Sequence, residues 1–76
     1  MLNGKAYIYP NIVTLMVTNG DTLKSLSREL GLGYQALSAR MRGMKAFELP
    51  EIYKLMNKYN RPFDYLFSEN VHQDAS

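Results

Sequence analysis

The stretch "SRELGLGYQALSARMRGMKAF", Ser27 to Phe47, decides how this chain is read. Gly31-Leu32-Gly33 divides two segments whose apolar residues recur at helical spacing. Leu23, Leu26 and Leu30 make a stripe before the glycines, and Leu37 and Met41 make another after them. Gly31 ends the first helix, because glycine tolerates left-handed backbone. Asp21 or Thr22 caps its start, and with no Glu or Gln three residues on, the cap is plain. Gly33 is a weaker N-cap for a second helix from about Tyr34 to Arg42, which Gly43 stops. Leu32 is the apolar pin in the turn. Ser27 supplies the small side chain needed where two short helices nearly touch. This is the spacing of a helix-turn-helix over about 22–43.

With Leu37 and Met41 turned inward, 100° per residue leaves Gln35, Ala39 and Arg42 facing most nearly away, with Ser38 close by. Those residues suit a DNA groove. Glutamine pairs in a bidentate way with adenine, serine meets several base edges, and alanine lets a helix approach closely. Arg42 and Lys45 stand near the helix end, placed for phosphate or guanine. The charge is distributed to match. Residues 22–45 carry Lys24, Arg28, Arg40, Arg42 and Lys45 against Glu29, a balance of +4 in a chain of net charge +2. Residues 46–76 carry −2. A solvated basic face would give the same distribution, so charge alone does not choose between solubility and an acidic partner.

Outward from this segment, the chain reads as one all-α domain. Pro10 opens a first helix to about Asn19, with Ile12 and Met16 on its inner face and Gly20 closing it. Val13, Leu15 and Val17 then fall on flanking or outer faces, surplus apolar surface that marks a partner interface. "ELPEIYKLMNKYN" reads as a fourth helix with Leu49, Ile52, Leu55, Met56 and Tyr59 on one stripe. "RPFDYLF" reads as a short fifth helix whose Phe63 and Leu66 close the core. Tyr53, Tyr59 and Tyr65 are expected in the core, and Tyr34 exposed. Residues 1–9, with "KAYIY", form an arm or a short strand. Residues 10–67 form the helix-turn-helix domain, and residues 68–76 a flexible polar tail.

With 76 residues there is no room for a second core, and a dimer interface would help so small a fold. The chain has no cysteine, which removes disulfides, thiolate nucleophiles and the usual zinc sets. A reducing cytoplasm is the simpler setting. "YIYPNIVTLMV" is too short to span a bilayer and is followed by no cleavage site. His72 has no ligand partner at metal spacing, so no metal or other cofactor is expected. The carboxylates are not arranged with a nucleophile or base, and no enzyme is expected.

"TLKSLSRELGLGYQALSARMRGMKAFELPEIYKL" resembles the Cro and lambda-repressor-like helix-turn-helix family of phage and bacterial regulators. "LSARMRGMKAFELPEIYKL" and the opening "YIYPNI" are similar to its small phage-borne members. The resemblance runs from about Tyr9 to Phe67. It implies a compact five-helix lambda-repressor-like fold that reads double-stranded operator DNA as a homodimer. Tyr34 and Gln35 match the start of the recognition helix and Ser38 a further groove-facing position. Arg42 matches a phosphate contact, and Lys45 lies in the loop that reaches bases or backbone. Apart from the resemblance, a DNA-binding reading also expects Lys24, on the preceding helix, to contact a phosphate. Leu23 stands where many members have a phosphate-clamping glutamine, and Gly33 where a serine cap is common. The resemblance also admits an antirepressor of the same fold, joined to a phage repressor protein instead of to DNA alone.

Overall fold

The structure, a computed structural model, describes residues 7–69. It is all-helical: α1 Pro10–Thr18, α2 Leu23–Leu30, α3 Tyr34–Met41, α4 Leu49–Tyr59 and α5 Phe63–Leu66. There is no strand among the described residues. The expected N-terminal strand lies partly outside them, and Tyr7 to Tyr9 form an irregular segment with a bend at Ile8 instead. Most of the expected tail, His72 included, lies outside as well.

α1 begins at Pro10, whose missing N–H would be unsatisfied in a first turn anyway. Its inner face is wider than two residues: Ile12 and Met16 are fully enclosed, and Leu15 is buried beside them. Leu15 sits three residues after Ile12 and one before Met16, which brings it onto the same side of the helix. The expectation that Leu15 belongs to a partner interface is therefore wrong. Val13 is half-buried against the core, and of the three only Val17 is fully outward, at 64% exposed. Asn11, also buried, donates from Nδ2 to the Tyr65 carbonyl at 2.9 Å and ties α1 to α5.

The start of α2 is better capped than its sequence reads. Ser25 N–H donates to Thr22 Oγ1 at 3.1 Å, and Thr22 N–H donates back to Ser25 Oγ at 2.9 Å. A serine hydroxyl here does the work of the Glu or Gln usually sought three residues after the cap. At its other end Gly31 is left-handed, at φ 74°, and Leu32 N–H reaches back to the Ser27 carbonyl at 2.9 Å. The half-buried Leu32 then packs against the core between α2 and α3. Ser27 is buried where the helices meet, its hydroxyl satisfied by the Lys24 carbonyl at 2.9 Å.

α4 departs from its expected stripe. Leu55 and Tyr59 are buried and Ile52 and Met56 half-buried, but Leu49 is 59% exposed. The face toward the core is centred on Glu51, Leu55 and Tyr59, spaced four apart, and Leu49 lies about a third of a turn away. Tyr53 is likewise exposed, contrary to its expected place in the core, whereas Tyr59 is inside and Tyr65 half-buried. Leu66 alone of α5 is fully enclosed. Phe63, expected to close the core, is 52% exposed and stacks on Phe67 with centroids 4.9 Å apart. Phe67 in turn meets Tyr9 and Phe47 edge-on, each at 5.2 Å. This cluster joins the N-terminal segment, the loop before α4 and α5.

Gly43 is required chiefly by its left-handed backbone, with the Ile8 side chain close by. Its φ is +78°, and a Cβ there would stand 2.7 Å from Ile8 Cδ1. Gly43→Ala is expected to destabilise the chain by about 1–3 kcal/mol in urea unfolding. Gly33→Ser, with extended backbone and open space around it, should be neutral or stabilising. Equal midpoints for the two variants would contradict this account of Gly43.

Candidate nucleic-acid interface

The candidate residues of α3 divide as the helical periodicity requires. Leu37 and Met41 are fully enclosed, Gln35 and Arg42 exposed, and Ser38 and Ala39 half-buried. Tyr34 heads the helix at 55% exposed. Lys24 and Arg28 lie one turn apart on the outer side of α2, where like charges repel. Lys45 is exposed in the loop after Gly43.

The structure brings several of these residues together. A groove of about 510 Å³ runs past Tyr7, Val17, Leu23, Lys24 and Tyr34, so the start of α2 and the start of α3 share one surface. Arg42 does not line the groove, but its guanidinium carbon lies 5.8 Å from the centroid of the Tyr7 ring that does. Lys45 does not line the groove.

Arg40, counted above with the basic segment, belongs to the interior. It is 5% exposed, and its Nε and Nη2 donate to the two carboxylate oxygens of Glu51 at 2.8 and 3.3 Å. Nη1 donates to the Ala36 carbonyl at 3.1 Å, and Glu51 Oε1 also accepts the Glu48 N–H at 3.0 Å. Both ions are thus paired and hydrogen-bonded, the condition for keeping charge inside a protein. Glu51 is therefore more than a helix-start residue, because it holds α4 to α3. A signal for this was present. Arg40 falls at the i+3 position of the Leu37–Met41 stripe and Glu51 four residues before Leu55, one charge of each sign on two inward faces.

The nearby acids are occupied as well. Lys58 Nζ donates to both oxygens of Glu29 at 2.9 and 3.0 Å and lies 3.3 Å from Asp21 Oδ2. Tyr59 donates its hydroxyl to the same Asp21 oxygen at 2.9 Å, and Ser25 donates to Oδ1 at 3.1 Å. Burial pushes the Asp21 carboxyl up, but the Tyr59, Ser25 and Lys58 donors outweigh it and hold the group below its ordinary value. The bond to Glu29 leads in raising Lys58 above its own. Burial, then the charge and hydrogen bond of Asp21, drive the Tyr59 phenol far up. Among the described residues, by contrast, Lys24, Arg28, Arg42 and Lys45 have no ion pair. The acids of this region face α4, and of the six described cations without an ion pair four lie around α2 and α3, the other two being Lys54 and Arg61.

No protein-family model, curated protein or solved structure matches the chain. No helix among the described residues is long and apolar enough to cross a membrane. Tyr7, buried but with its ring against the groove and Arg42, is the contributor that sequence reasoning misses, since nothing in "KAYIY" indicates that its ring reaches Arg42.

Proposed function

We propose that this protein is a sequence-specific DNA-binding transcriptional regulator, a Cro-like protein or small repressor of phage type. α2 and α3 act as a helix-turn-helix, with α3 in the major groove and α2 braced across the backbone. One observation carries the reading: Lys24 and Arg28 on α2, Arg42 at the end of α3 and Lys45 in the loop after it are exposed and without ion pairs, while the acids of the same region are held by Lys58 and Arg40. Lys24, Arg42 and Lys45 contact phosphates and give register. Tyr34, Gln35 and Ser38 meet base edges, with Ala39 allowing close approach. Two copies read half-sites about one helical turn apart.

Arg42→Ala tests the phosphate role. It is expected to weaken binding to all duplexes alike and to reduce the salt slope by about one. An unchanged slope in fluorescence anisotropy would remove Arg42 from the interface.

A second reading has its own support. Met44, Leu49, Tyr53 and Phe63 are each more than half exposed, large apolar side chains that lie outside α3. It fits an antirepressor that joins a repressor protein in place of DNA. Such a protein would show no binding to duplex by itself.

A further inference from the structure

We propose that Tyr7 is a positioning residue of the nucleic-acid face, holding the Arg42 guanidinium where it meets a phosphate; the proposal rests on the DNA-binding reading above. Three contacts fasten the segment around Tyr7 to the C-terminal end of α3. Ile8 N–H donates at 2.9 Å to the carbonyl of Met41, the last residue of the helix, whose own turn leaves that oxygen unused. The Ile8 side chain fills the space that a Cβ on Gly43 would occupy. Between them, the Tyr7 ring lies 5.8 Å from Arg42 Cζ.

Tyr7 itself is fixed. It is 9% exposed and belongs to the core cluster with Ile12, Met16 and Leu37, so its ring is a stationary platform. Arg42 follows the last residue of α3 and is exposed, and without a platform it would lose rotamer freedom on meeting a phosphate. A guanidinium resting on a ring face keeps its planar fork of N–H donors at the edge, free for a phosphate. Tyr7 also lines the groove that holds Lys24 and Tyr34, so the ring on which Arg42 rests belongs to a surface shared with both.

The experiment measures anisotropy of a mixed-sequence duplex at about 50 and 200 mM salt, for the wild type, Tyr7→Phe, Tyr7→Leu, Arg42→Ala and the Tyr7→Leu/Arg42→Ala double variant. Each phosphate contact contributes a slope of about −0.9, so losing one lowers the ratio of the two affinities roughly threefold. Tyr7→Leu and Arg42→Ala should each show that loss, the double variant no more than Arg42→Ala alone, and Tyr7→Phe none. An unchanged ratio in Tyr7→Leu, or a Tyr7 effect that persists in full without Arg42, would overturn the proposal. If Tyr7→Leu does not fold, pentafluorophenylalanine at position 7 keeps the ring's shape while removing its negative face. The same threefold fall is then expected, and a wild-type ratio would overturn the proposal. A wild type that binds at neither salt overturns the DNA-binding reading and this inference with it.

Discussion

Arg40→Met should destabilise the chain by about 3–5 kcal/mol, because it leaves the Glu51 carboxylate buried without its counter-ion. Both side chains are less than a tenth exposed, so water does not replace the lost partner. Small domains hold only about 5–15 kcal/mol of stability in all, and a chain this short lies toward the low end. The variant is therefore expected to be largely unfolded on mild warming. Glu51→Leu should be comparably damaging, since it strands the guanidinium and releases the Glu48 N–H. The double replacement Arg40→Met/Glu51→Leu removes both charges together and should recover most of the loss, because a well-packed apolar pair often equals a buried ion pair. Urea unfolding of the three variants measures this. Single variants within about 1 kcal/mol of wild type, a value typical of exposed pairs, would mean that the pair does not hold α3 to α4.

The second large effect concerns sequence preference. Gln35 is exposed in the first turn of α3, where a recognition helix meets base edges. Gln35→Ala is expected to lose roughly 1–3 kcal/mol on the best site while changing binding to other sequences little. Its thermal stability should be close to wild type, since Gln35 is exposed. Selection from a randomised duplex pool reads the outcome directly. A consensus as sharp as the wild type's would remove Gln35 from base recognition.

The helices were legible because each is punctuated by residues with a local mechanism. Pro10 opens α1, Gly31 in left-handed backbone closes α2, and the spacing of Leu37 and Met41 gave α3 its inward face. What periodicity misjudged is which apolar residues a short helix can afford to leave outside. Helical spacing puts Leu15 outward, yet it lies inside, and puts Leu49, Tyr53 and Phe63 inward, yet they lie largely in solvent. Neighbouring helices decide those cases, and their positions are not written in any one helix. Long-range polar pairs were lost for the same reason. Arg40 reads as part of a basic run until α4 brings Glu51 to it, and Asp21 reads as a cap until Tyr59 and Lys58 arrive from 38 and 37 residues away. The candidate site followed the same division. Gln35, Arg42 and Tyr34 were exposed as their helix positions required, whereas the support of Arg42 by Tyr7 joins two ends of the fold.

The central claim is that the cationic surface of α2 and α3 meets DNA. It is tested most directly by fluorescence anisotropy of the wild-type chain with a mixed-sequence duplex at about 50 and 200 mM salt. Phosphate contacts by Lys24, Arg42 and Lys45 predict binding at the lower salt, with a log–log slope of about −3 or steeper. No binding at either salt would contradict the claim and turn this surface over to a protein partner.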